Sequence, residues 1–270
     1  TGEAGEPLHG YGYPDSATSS VWYAWTAPAG GQVDFGLSGS DFPSTLAIYA
    51  GDSLAGLVLR ERGSSDSAGW APNRAISVRP GDTVRVAVAS TLAQRGSLKL
   101  NWIFSPAPGH DDFAGAAILN GAAGSYAGTN RHAAREPGEA PLEGSDSSVW
   151  HRWTAPVPGW ATLRVTSAMY MHVLRVLRGA DLAALTAVAT LTASGAGSQT
   201  LRFEVAAGTT YHLSLGAMFS AGAAYTLSWE METMPVITVP PASRAAHPGD
   251  TVSFAVTAAG GGLVYQWYHD

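Results

Sequence analysis

The sequence predicts an all-β chain made of two tandem β-sandwiches of the jelly-roll kind, with the opening strands of a third sandwich at its end. Three observations predict this. The chain repeats itself: Ser19-Ser20-Val21-Trp22-Tyr23-Ala24-Trp25-Thr26-Ala27-Pro28 returns as Ser147-Ser148-Val149-Trp150-His151-Arg152-Trp153-Thr154-Ala155-Pro156, about 128 positions later. Such a period is far longer than the ~20–50 residues of a solenoid unit and has the size of a whole domain. The apolar runs are short, aromatic or β-branched, and clusters of Gly, Pro, Asn and Asp separate them, which is the pattern of strands and turns. Finally, charged residues make up only 13% of the chain, against a typical ~25%, so Ser, Thr, Gly and Asn carry much of the polar surface.

The repeat extends beyond the tryptophan string. Glu3-Ala4-Gly5-Glu6-Pro7 precedes the first copy and Glu136-Pro137-Gly138-Glu139-Ala140 the second. Downstream, Ile48-Tyr49-Ala50-Gly51 answers Val176-Leu177-Arg178-Gly179, and Pro80-Gly81-Asp82-Thr83 answers Ala207-Gly208-Thr209-Thr210. Leu98-Lys99-Leu100-Asn101-Trp102 answers Tyr225-Thr226-Leu227-Ser228-Trp229. In the first copy, strands are expected at 21–25, 32–37, 46–49, 75–78, 83–89 and 97–102, with single helical turns in 52–59 and 180–188. Helix should stay under about a tenth of the chain, as in other sandwiches of short strands. Trp22 and Trp25, like Trp150 and Trp153, stand three apart on a strand and face opposite sides, so at least one of each pair belongs to a core. The matching placement of Trp102 and Trp229 reads as packing.

These markers divide the chain into a first repeat over 1–105, a second and complete one over 108–232, and a tail over 233–270. Residues 111–135 have no counterpart in the first repeat, which is therefore expected to lack its N-terminal strands. Pro106-Ala107-Pro108-Gly109 is a stiff connector. The tail reads as three strands, 236–241, 248–256 and 264–268, in the order of strands A, B and C of an immunoglobulin-like domain. Trp267 would be its core tryptophan, and Val256 stands where antibody domains place their first cysteine. Such a domain needs ~100 residues, so this tail should pack poorly.

A net charge of −6 without a basic cluster argues against nucleic acid. No run reaches the ~20 apolar residues of a membrane-spanning helix. Zero cysteines exclude a disulfide framework and any thiolate nucleophile or ligand. The first residue is Thr1, so any targeting signal is expected to lie upstream or to have been removed. A low-charge, cysteine-free β-array suits an extracellular or bacterial cell-surface location, and a monomeric module within a longer chain.

Asp111-Asp112-Phe113-Ala114-Gly115-Ala116, the acidic loop after it and the Val-Trp-x-x-Trp-Thr-Ala-Pro string resemble the pre-peptidase C-terminal (PPC)-type jelly-roll repeats of bacterial exported proteins. The resemblance covers both repeats and implies a β-sandwich in a multi-domain surface or secreted protein, often beside immunoglobulin-like modules. It assigns no single activity, since one fold hosts many functions. The collagen-binding modules of bacterial collagenases, within the same broad class, bind calcium and extracellular ligands. The group's Phe-Asp-Thr-x-Leu-x-Val-Tyr strand reads Phe42-Pro43-Ser44-Thr45-Leu46-Ala47-Ile48-Tyr49 here and Tyr170-Met171-His172-Val173-Leu174 in the second copy, so both lack its Asp.

Catalytic signatures are missing from the sequence: no Gly-x-Ser-x-Gly, no His-Glu-x-x-His and no phosphate-binding glycine loop. The chain is expected not to be an enzyme. Calcium is the expected ion, because hard cations take six to eight oxygens from carboxylates and loop carbonyls. Asp111 and Asp112 at the entry of the second repeat, with Glu136, Glu139 and Glu143 in its acidic loop, would supply them if the loop folds back on the entry. For a polysaccharide or matrix-protein partner, the candidate contacts are Tyr11, Tyr13 and Trp70, loop aromatics without an aromatic counterpart in the second repeat. The expected role is adhesion, binding or display, and the alternative is the accessory region of a secreted protease or glycoside hydrolase.

Overall fold

In a computed structural model, the structure describes residues 5–7, 9, 19–64, 72–90, 95–142, 147–168, 171–217 and 222–268. Regular structure among them is β-strand, apart from three single 3-10 turns at Leu54–Gly56, Phe113–Gly115 and Leu182–Ala184. The first and third of these fall within the two stretches expected to hold a helical turn. The chain divides into two compact units, Thr1–Asp111 with Arg131–Arg135 and Asp112–Asn130 with Glu136–Asp270.

The first unit contains β1 (Ser20–Thr26), β2 (Gly31–Gly36), β3 (Ser44–Ala50), β4 (Val58–Ser64), β5 (Asn73–Val78), β6 (Thr83–Ser90) and β7 (Asn101–Pro106). They form two antiparallel sheets, in the orders β1-β6-β3-β4 and β5-β2-β7. On β2 the alternation is strict: Val33 and Phe35 are buried while Gln32 and Asp34 lie between them toward solvent. Leu46, Ile48, Val84, Val86 and Val88 meet them in the core. The β-period of two thus turns an apolar alternation in sequence into one buried face. Strand β7 starts four residues later than the 97–102 segment expected, and β4, with Arg60, Glu61 and Arg62, was not expected as a strand.

The second unit carries the same frame with two strands more. Its strands are β8 (Ala117–Leu119), β9 (Ala123–Thr129), β10 (Val149–Thr154), β11 (Gly159–Ser167), β12 (Met171–Arg178), β13 (Thr186–Ser194), β14 (Gly197–Val205), β15 (Thr210–Ala217) and β16 (Ala224–Thr233). The sheet orders are β13-β12-β15-β10-β8 and β14-β11-β16-β9. Strip β8 and β9 from the ends and the orders match those of the first unit. Local irregularities match as well. A bulge at Arg60 on β4, opposite Ile48 and Tyr49 of β3, recurs at Val188 on β13, opposite Val176 and Leu177 of β12. Gly31 and Gly159 open β2 and β11 at φ +155° and +153°, where an added Cβ would lie 2.3 Å from Ser105 O and 2.2 Å from Glu232 O. Only glycine allows the two strands to meet that closely.

Of the tail, β17 (Val236–Val239) pairs with β18 (Thr257–Ala259) in a two-stranded ribbon. Residues 248–256 and 264–268 carry no strand, contrary to the three-strand expectation, and Trp267 is 57% exposed rather than a core residue. A two-stranded ribbon has no second sheet to bury a face against. Its apolar residues instead line an open cavity of about 290 Å³, with Ile237, Val256, Leu263, Tyr265 and Trp267 among its walls.

Candidate functional site: the acidic loop on the tryptophan strand

The tryptophan strings become β1 and β10, and in each unit a glutamate of the preceding acidic loop reaches the serine at the head of that strand. In the second unit Ser148 Oγ donates to Glu139 Oε2 at 2.7 Å. The same carboxylate accepts the Glu136 N–H at 3.2 Å and Ser214 Oγ, from β15, at 3.4 Å. Glu139 is 8% exposed, and burial pushes its pKa above the usual carboxylate value, opposed by the hydrogen bonds from Ser148, Glu136 and Ser214. A buried carboxylate is tolerated when donors saturate it.

The first unit makes the same anchor with different donors. Glu6 Oε1 accepts from Ser20 Oγ, from Trp22 Nε1 at 2.7 Å and from His9 Nε2 at 2.8 Å. His9 Nδ1 lies 2.8 Å from the Tyr49 hydroxyl, and His9, Trp22 and Tyr49 pack edge-to-face or tilted with ring centroids 5.2–5.7 Å apart. The Tyr49 pKa is pushed up to about 12, first by burial and then by the nearby Glu6 charge, against the opposing pull of Arg62. The second unit replaces this aromatic cluster. Leu177 stands in place of Tyr49, and Phe113 packs on Trp150 and His212 with centroids 5.2 and 4.6 Å apart. Among the described residues, the Trp150 indole N–H is buried without a hydrogen-bond partner.

The expected calcium set is partly brought together. The acidic loop does fold back on the entry of the second unit, since the Phe113 N–H donates to Glu136 Oε2 at 2.8 Å. Asp112 caps the Phe113–Gly115 turn in position but without a side-chain cap bond. Asp111 groups with the first unit, where its Oδ1 accepts the Ala134 N–H at 2.8 Å. Among the described residues, no three His, Asp or Glu side chains cluster as a metal set. Glu143, Tyr11, Tyr13 and Trp70 lie outside the described residues.

Sequence reading missed His9 and Tyr49, and it passed over the serines. The serines were legible: Ser20 and Ser148 open both tryptophan strings, and a glutamate precedes each at a loop's distance. What the arrangement does chemically is hold. A carboxylate bound to hydroxyl, indole or imidazole donors pins a long loop to a strand.

Fold and site define the class, a tandem β-sandwich protein in which each unit carries its own carboxylate-anchored loop. No protein-family model matches the chain, and no curated protein matches it. Solved structures do resemble it. The PBSX exported protein XepA is 12% identical with a TM-score of 0.27, covering 79% of this chain and 82% of its own. A putative secreted protein from Parabacteroides distasonis is 10% identical with a TM-score of 0.33, covering 85% and 88%. The CBM22-1-CBM22-2 tandem domain from Paenibacillus barcinonensis Xyn10C is 10% identical with a TM-score of 0.24, covering 77% and 82%. These likenesses are distant and assign neither ligand nor activity to this chain.

Proposed function

We propose that the chain is a non-catalytic binding or display region of a multi-domain extracellular or surface protein. The observation that carries this reading is the repeated anchor. In both units a glutamate of the acidic loop is tied to the serine that opens the tryptophan strand, Glu6 to Ser20 and Glu139 to Ser148. Duplication of a sandwich whose acidic loop is tied down suits reach, spacing and surface contact. No helix among the described residues is long and apolar enough to cross a membrane.

The test is retention of the full chain on insoluble polysaccharides and on collagen, beside a glycan array. Saturable retention on one of them supports the reading and names the ligand class. Turnover of any of these polymers by the purified chain would overturn it. A calcium-dependent form of the same role would draw on Asp112, Glu136 and nearby loop carbonyls. A melting temperature raised by millimolar calcium over chelator supports that form, and superimposable curves remove it.

A further inference from the structure

The two units guard one sheet edge unequally. Strands β4 and β13 hold the same place, each ending its sheet, and among the described residues no strand pairs with the outer side of either. An open edge presents unpaired N–H and C=O groups to any incoming strand, and charged side chains are a usual means of keeping one away. Strand β4 has them, in Arg60, Glu61 and Arg62. Strand β13 reads Thr-Ala-Val-Ala-Thr-Leu-Thr-Ala-Ser, 9 residues without a charge, a proline or a glycine.

Directly opposed residues share a face, so the register fixes where each β13 side chain points. Ala189, Leu191 and Ala193 stand opposite Val176, Leu174 and His172 of β12, all three buried, and therefore belong to the core face. Leu191 is nevertheless only half-buried, because the sheet ends on its far side. Thr190 and Thr192, opposite Arg175 and Val173, belong to the outer face and are exposed. The bulge at Val188 interrupts the ladder and leaves 189–194 as the regular part of the edge.

This pattern suits the same strand of a second copy. When two identical strands pair antiparallel, residues equally far on either side of the two-fold axis stand opposite one another. Centred on Leu191, the pair sets Leu191 against Leu191 and Ala189 against Ala193 on the core face, and Thr190 against Thr192 on the outer face. Two half-buried leucines cover each other and no charge is opposed. Strand β4 cannot pair in this way. Centred on Arg60 or Arg62 it sets arginine against itself, and centred on Glu61 it sets Glu61 against Glu61 and Arg60 against Arg62. Like charges directly opposite are destabilising.

We propose that the chain dimerises through β13, two copies joining their five-stranded sheets by antiparallel β13–β13 pairing centred on Leu191. Main-chain bonds supply affinity, as in other strand additions. The contact uses the same patch on both copies, so it closes as a dimer and does not grow into a filament. A dimer takes the place of the monomeric module expected from the sequence. This inference goes beyond the binding or display role and does not depend on it.

The experiment follows the mass of the full chain by analytical ultracentrifugation over a series of concentrations up to the millimolar, with amide hydrogen exchange at the lowest and highest. The expected result is a reversible monomer–dimer equilibrium in which amides of 189–194 gain protection as the dimer forms. Thr190→Glu combined with Thr192→Glu, both at exposed positions, sets Glu against Glu twice across the axis and should weaken the dimer about tenfold. Thr190→Glu combined with Thr192→Lys sets Glu against Lys at the same two places and should restore it. Both variants should keep the circular dichroism of the parent. The proposal is overturned if the chain stays monomeric at every concentration, if a dimer forms without protecting 189–194, or if the two double variants dimerise alike. A continuing series of larger species overturns the closed pairing as well.

Discussion

Replacing Glu139 by alanine should destabilise the second unit by about 2–4 kcal/mol. The change removes the acceptor of a 2.7 Å hydrogen bond from Ser148 Oγ and leaves that serine, 0% exposed, with a buried hydroxyl unpaired. A hydrogen bond to a charged group contributes roughly 1.5–3 kcal/mol, and an orphaned buried donor costs about 1–3 kcal/mol. Against these stands the relief of the burial that disfavours the carboxylate, which is why the net falls short of the sum. At ~2–4 °C per kcal/mol for a unit of this size, melting should drop by about 5–15 °C. Glu139→Gln separates charge from geometry, because its amide oxygen still accepts from Ser148. The raised folded pKa of Glu139 means that its stabilising neutral form is fully present below the unfolded value of 4.5 and is lost as pH rises through the folded value. The Gln variant should therefore gain on the parent as pH rises through that window. Urea denaturation, with hydrogen exchange on β10 and β15 amides reporting the second unit, measures both. An alanine variant within about 0.5 kcal/mol of the parent would refute the anchor.

Two further outcomes follow from the packing and the titrations. Gly124→Ala places a Cβ 2.3 Å from Trp229 Cζ2, and because the indole is 7% exposed with its N–H bound, the strand must shift. A loss of about 1–3 kcal/mol, typical of overpacking, should appear with altered near-ultraviolet circular dichroism, and an unchanged spectrum and midpoint would contradict the close approach. Burial lowers the pKa of His110, His172 and His212 from the usual 6.5. Their neutral forms contribute stability that is present above the unfolded value and lost as pH falls below it through the folded values, so the melting temperature should begin to decline under pH ~6.5. His172→Leu, at a 0% exposed site, should flatten part of that decline, and an unaltered pH profile would count against the burial of a neutral imidazole.

Much of the fold was legible because a strand's period is local. The alternation on β2 and the Val-Trp-x-x-Trp strings each follow from neighbours in sequence. The failures are instructive for the same reason. Strand β4 was obscured by Arg60, Glu61 and Arg62, which belong to an edge strand with charged residues toward solvent. The tail's segments 248–256 and 264–268 have strand composition, yet they lack a partner sheet and form no ladder. In the candidate site, the acids and serines could be listed from the repeat, but not which donor each carboxylate takes. Glu6 binds an indole and an imidazole where Glu139 binds two serines and a backbone N–H.

The sequence by itself determined the class of fold, the duplication and the absence of recognised catalytic motifs, because composition, turn residues and self-similarity are properties of the chain read in order. Tertiary structure alone decided which of two equivalent tryptophans is buried. Trp102 and Trp229 occupy the same place in the repeat, and Trp229 is buried where it meets Gly124 on a neighbouring strand, whereas among the described residues no strand covers Trp102, which is 56% exposed. Burial is a relation between segments distant along the chain, and it exists only once those segments have paired.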